Sequence, residues 1–175
     1  MSHDDMMQQI DRVRQLLREV KPILQARRAE LGPLLKALGQ SVFEEPRATL
    51  SEQELAQYEV THALILPKDY RLFLKTIGNG GPGPGYGMSE LPPPFPETIR
   101  NRRSIPVDQV NHLVVIVALG CGMSWDLVVH GPDRGNIWYY DEDGDVPSDP
   151  KCRFLDWYEG WLRNTLQQGK IAAGP

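Results

Sequence analysis

Apolar residues recur at helical spacing twice between Ser51 and Gly81, and a proline separates the two stretches. In the first, Ser51 and Glu54 have the spacing of a capping box, where the serine accepts a backbone N–H and the glutamate returns the contact. Leu55, Tyr58 and Leu64 follow, and Ile65-Leu66 lead to Pro67. Proline is tolerated at a first helical position because its missing N–H would be unpaired there. Tyr70, Phe73, Leu74 and Ile77 then share one face, with Lys68, Asp69, Arg71 and Lys75 expected largely outward. Gly78-Asn79-Gly80-Gly81 predicts an abrupt stop, since these residues tolerate the left-handed backbone a C-cap uses.

Before this pair, Asp4 to Gln40 reads as helix. Ile10, Leu17, Leu24, Leu31 and Leu38 fall seven apart, with Val13, Val20 and Leu34 between them, a heptad register that suggests a coiled coil. Pro22 and Gly32-Pro33 interrupt it, because a proline inside a helix costs about 3 kcal/mol. The expectation is a first helix ending near Val20, a second from Pro22 and a short third from Pro33. An amphipathic arm packed on its own domain fits these breaks better than a dimerising coil; both stay open. Residues 41–49 form a polar connector.

Past Gly78 the pattern changes. Gly and Pro crowd residues 78–96 and forbid regular structure there, predicting an ordered turn or a mobile loop. Leu113 to Leu119 is a continuous apolar run, the mark of a strand buried on both faces. Trp125 to His130 and Asn136 to Tyr140 give two further strands, joined by a hairpin loop with glycine at either end, Gly131 and Gly135. An acidic loop from Asp141 to Asp149 comes next. Phe154, Leu155, Tyr158, Trp161, Leu162 and Leu166 then make a closing amphipathic helix, with a polar tail from Gly169. Helices, a three-strand meander and a helix give an α+β order rather than repeated βαβ units.

Composition narrows the function classes. Nineteen Lys and Arg against 23 Asp and Glu give a net charge of −4, which argues against direct nucleic-acid binding. No apolar run approaches the roughly 20 residues that span a bilayer. Met1 to Asp5 is acidic and polar and does not read as a secretory signal. Cys121 and Cys152 lack zinc-ligand spacing, and two scattered thiols fit a reducing cytoplasm.

Three strings resemble catalytic or ligand motifs and fail on context. Gly78-x-Gly80-x-x-Gly83 matches a dinucleotide fingerprint, yet a helix precedes it, and Pro82 and Pro84 rule out the helix it must open. Gly122-Met123-Ser124-Trp125-Asp126 comes within one residue of a nucleophile elbow, but Asp126 replaces the final glycine and Ser124 leads into a strand. Asp141-x-Asp143-x-Asp145 lacks the glycine and glutamate of an EF-hand loop, which would fall at Val146 and Cys152. His3, His62, His112 and His130 are too dispersed to form a ligand set by spacing. No catalytic, cofactor-binding or metal-ligating set emerges.

In order along the chain, Leu66-Pro67-Lys68-Asp69-Tyr70, Phe73-Leu74 and Asn79-Gly80-Gly81 precede Asp126, Gly131, Gly135 and Ile137-Trp138. Phe154, Trp157 and Trp161-Leu162 close the series. In this pattern the C-terminal two-thirds resembles the SUKH superfamily, the Smi- and Knr-like proteins. The helical arm at 1–45, longer than the family minimum, and the polar tail at 169–175 are read from the residues alone. The resemblance implies an α+β domain, here residues 46–168, with a mixed, mainly antiparallel sheet flanked by helices. It implies no catalytic residues and no cofactor. It implies a cytoplasmic immunity protein, monomer or homodimer, that binds and neutralises a cognate bacterial toxin domain, a nuclease or another nucleic-acid-modifying enzyme among them. The alternative it carries is a non-catalytic scaffold of the Smi/Knr type, as in cell-wall synthesis. Acidic groups suit the basic groove of a nuclease. Asp141, Glu142, Asp143, Asp145 and Asp149 beside Tyr139 and Tyr140 are the candidate partner-binding residues, with Tyr86 in the Gly/Pro loop as a second anchor.

Overall fold

The computed structural model describes residues 2–37, 45–96, 109–141 and 148–173. It is an α+β fold. Helix α1 (His3–Ala37) is followed by α2 (Glu52–Thr61) and α3 (Lys68–Thr76). Strands β1 (Phe95–Pro96), β2 (His112–Gly120), β3 (Met123–His130), β4 (Asn136–Tyr140) and β5 (Ser148–Arg153) come next, and α4 (Phe154–Ala173) closes the chain. The strands form one sheet in chain order, and every pairing among the described residues is antiparallel, so the mixed component of the expected sheet is not seen there.

The three strands foreseen as a meander are β2, β3 and β4. Both sheet faces are buried, as the unbroken apolar run of β2 requires. Val114, Ile116, Leu127, Val129 and Ile137 join the main core, whereas Leu113, Val128 and Trp138 form a second cluster with Phe95 on the opposite face. The strands β1 and β5 escape sequence reading because each contains proline. Pro96 and Pro150 lie on the two edge strands, where a residue without an N–H is tolerated.

Helix α1 corrects the expected three-piece arm. It runs unbroken through Pro22 and Pro33. Met6, Ile10, Val13, Leu16, Val20 and Leu24 are buried on a single stripe that continues past Pro22. Pro22 and Arg18 are exposed, so the carbonyl that loses its partner at Pro22 lies on the water side of the helix. Burial of Val20 and Leu24, on either side of the proline, outweighs its cost. The period of this stripe is helical rather than heptad: Leu31 is 42% exposed, and Leu38 lies outside the described residues. The stripe packs in the same core as Phe154, Tyr158 and Leu162 of α4.

Ser51 and Glu54 form the full capping box. Pro67 sits at the N-cap of α3, one place earlier than expected. The C-cap, Ile77, is right-handed, so the glycines after it do not end α3 by a left-handed cap. Their role is close packing. A side chain on Gly78 would meet the Arg47 carbonyl at 2.5 Å, and one on Gly81, whose φ is +130°, would meet Pro46 Cα at 2.6 Å. The connector thereby lies flat on the turn, with Arg47 N–H donating to Gly80 O and Asn79 N–H to Ala48 O.

The Gly/Pro segment beyond this turn is ordered by hydrogen bonds. Met88 is buried and bridges Gly81 and Val117, Ser89 N–H donates to Ile116 O, and Asn79 Oδ1 accepts Leu91 N–H at 2.8 Å. Tyr58 and Tyr158 hydroxyls donate to the carbonyls of Pro92 and Pro82. The apolar face of α4 falls where its spacing predicts, and the helix continues through Gly169 to Ala173, the segment expected as a polar tail.

Candidate functional site

The sheet has two ends. At one, β2 turns into β3 through Cys121-Gly122, closed by the Gly120–Met123 pair. Both central residues have positive φ, 49° and 75°, the backbone of a type I′ turn whose twist matches the strands it joins. Tyr86 lies over this turn: a side chain on Gly120 would meet its hydroxyl at 3.5 Å. Gly85 and Gly87 flank Tyr86 with φ of 55° and 101°, and a side chain on Gly85 would strike Leu119 at 2.7 Å. Those glycines are what let the tyrosine sit there.

Strand β4 ends beside the same turn. Tyr139 pairs with Trp125 and Tyr140 with Ser124. The Tyr139 ring lies 5.0 Å from that of Trp125, which in turn lies 5.8 Å from Trp157 on α4. The Tyr139 hydroxyl donates to Met123 Sδ at 3.1 Å. Tyr86, Tyr139, Tyr140 and Asp141 are each half-buried at this end. Adjacent strand residues point to opposite faces, so Tyr139 belongs to the helix side and Tyr140 to the other; they do not form one flat patch. Glu142, Asp143 and Asp145 lie outside the described residues. Asp149 falls in β5, next to the Ser148 that pairs with Tyr139, and its side chain is outside the description.

The sequence did not single out Trp125 and Met123. The five-residue loop read from the sequence would set Leu127 opposite Tyr139; the ladder instead closes at Val128, which accepts Gly135 N–H, and this two-residue shift brings Trp125 across.

The landmark residues of the resemblance are mostly architectural. Leu66, Tyr70, Phe73, Leu74 and Phe154 are fully buried in the main core, with Trp157 and Trp161 packed against it. Asp69 is 2% exposed, not turned outward as expected, and accepts Leu155 N–H at the start of α4. Gly135 leaves room for the Arg153 guanidinium, which a Cβ there would meet at 2.4 Å. Asp126 is fully buried on the second sheet face and accepts the Ser124 hydroxyl at 2.9 Å.

Ser124 and His130 stand near opposite ends of β3, six residues or about 20 Å apart, so they cannot act as a catalytic pair. Cys121 is exposed, and Cys152 is half-buried, its thiol pushed up by burial and by Asp156 and Asp69. Among the described residues, no group of three or more His, Cys, Asp and Glu side chains is placed to share a metal ion. No described helix is long and apolar enough to cross a membrane. No protein-family model, curated protein or solved structure matches the chain.

Proposed function

We propose that the chain is a cytoplasmic immunity protein of the SUKH kind, binding a cognate bacterial toxin domain and blocking its active site. The observation that supports this reading best is the gathering of Tyr86, Tyr139, Tyr140 and Asp141, from two distant segments, around one hairpin turn. Half-buried tyrosines held in place by glycines and by a neighbouring ring lose little freedom on binding, which is why such residues serve as interface anchors. The acidic run that starts at Asp141 supplies charge suited to a basic partner groove, and speeds encounter with it. Co-expression with the toxin domain encoded beside it tests the reading: rescue of growth, lost on replacing Tyr86 and Tyr140 by alanine, is the expected result.

A second reading, a non-catalytic intracellular scaffold, draws on α1. Its residues 25–31 are all exposed, beyond the stripe that packs on the domain, and Leu31 among them is an apolar handle. Light scattering on the full chain and on its Leu31→Glu variant separates the two, since a scaffold that assembles through this arm loses mass on substitution.

A further inference from the structure

The opposite end of the sheet carries a groove of about 780 Å³ between α2, the turn after it, and the β3–β4 loop. Helix α2 ends in a Schellman turn, in which Leu64 N–H donates to Glu59 O at 3.0 Å and Ala63 N–H to Val60 O at 3.3 Å. The residue after the C-cap in such a turn is left-handed and is usually glycine; here it is Ala63, with φ of 50°. Backbone strain of this kind concentrates at functional surfaces.

The turn leaves Val60 77% and Ile65 69% exposed. A single exposed aliphatic is ordinary, but these two line one groove with Ala56, Ala63 and Leu64. Its wall is fixed in advance. Arg134 donates to Ile65 O at 2.8 and 2.9 Å and to Leu66 O at 2.7 Å, while Glu59 accepts Leu66 N–H at 2.9 Å.

Charge decides what fits. Lys68, His130 and Arg134 border the apolar floor. The Arg134 hydrogen bonds go to carbonyl oxygens, and no ion pair of Arg134 or Lys68 is found among the described residues, although both also border a neighbouring cleft with Asp69 and Asp156. Glu59, the one lining carboxylate among the described residues, has a side chain only 15% exposed and is paired with Arg71. On a chain of net charge −4, this is local positive charge beside apolar surface.

We propose that this groove docks a short segment of a partner protein that presents aliphatic side chains together with Asp or Glu. An open groove whose wall is held by hydrogen bonds and whose floor is apolar suits a short peptide segment laid along it. The inference goes beyond the toxin-blocking reading, because it concerns the other end of the sheet and stands whether or not that reading does.

The test is selection of a random dodecapeptide library displayed on phage against the full chain. Synthetic copies of the selected peptides are then titrated against the Val60→Asp and Lys68→Glu variants, with folding checked by circular dichroism. The expected result is peptides rich in Leu, Ile or Phe with an excess of Asp and Glu, whose affinity falls at least tenfold in both variants. Peptides unaffected by both substitutions, peptides with an excess of Lys and Arg, or no selected binders would each overturn the proposal. So would binding to vesicles containing phosphatidylserine that Lys68→Glu abolishes, or self-association that Val60→Asp abolishes, in the absence of groove-dependent peptides.

Discussion

The Asp69 carboxylate accepts the backbone N–H of Leu155 at 3.4 Å, so a side chain from α3 closes the start of α4. Strand β5 runs into α4 with no loop, and Arg153 occupies the place where a capping Ser, Thr or Asp would stand. The cap must therefore come from elsewhere in the fold, and the burial of Asp69 leaves no water to replace it. Asp69→Ala is expected to lower stability by about 1–2 kcal/mol, and Asp69→Asn, which keeps an acceptor, by less than half of that. Urea denaturation of the three proteins gives the comparison.

Ala63 offers a gain. A left-handed residue with a Cβ costs roughly 1–2 kcal/mol, while the added freedom of glycine in the unfolded chain costs about 0.4–1 kcal/mol. The first exceeds the second, so Ala63→Gly is expected to stabilise by about 0.5–1 kcal/mol, seen as a rise of roughly 1–4 °C in Tm. The opposite change at Gly81, where a Cβ would strike the connector backbone, lowers Tm.

The stripe on α1 distinguishes packing against its own domain from a heptad seam. Ile10 is fully buried in the core, and Ile10→Ala is expected to cost about 2–4 kcal/mol. Leu31 occupies the same heptad position but is exposed, and Leu31→Ala should change stability by under about 0.5 kcal/mol. Equal losses at both positions, measured by thermal unfolding, would favour the seam.

Two carboxylates set an acid limb. Hydrogen bonds from Arg71 and then Lys75 hold Glu52 at a pKa of about 2, against an ordinary 4.5. Burial pushes Glu159 up, but hydrogen bonds from Arg163, Arg12 and Gln9 outweigh it and its pKa is lowered. A depressed folded value means the unfolded chain binds protons first, so the stabilisation is complete above 4.5 and is lost as pH falls toward 2. Urea midpoints measured from pH 7 down to 2.5 should decline below 4.5, and the decline should be shallower in Glu52→Gln and Glu159→Gln.

Much of this fold was legible where local chemistry and tertiary packing agree. The capping box at Ser51, the β3–β4 hairpin bounded by Gly131 and Gly135, and the apolar face of α4 all fall where their spacing predicts. Reading failed where a long-range contact overrides a local rule. Pro22 reads as a helix end until Val20 and Leu24 are seen buried on either side of it. Pro150 hides β5 because its edge position cannot be known from the strand alone. Asp69 reads as a solvent-facing charge because its partner lies 86 residues away. At the candidate site, Tyr86, Tyr139, Tyr140 and Asp141 were nameable from sequence, but their meeting around Gly120 and Met123 depends on hairpin register and on where the Gly/Pro loop returns. The α2–α3 groove was invisible, since Val60 and Ile65 resemble core residues until their exposure is known.

The claim that this protein works by presenting the Tyr86–Tyr140 end of its sheet to a toxin is tested most directly by calorimetric titration with the toxin domain encoded beside it. A one-to-one complex of submicromolar Kd is expected, weakened at least tenfold by Tyr86→Ala or Tyr140→Ala and by raising salt from 50 to about 500 mM. Absence of binding, or binding indifferent to both tyrosines, would contradict the claim.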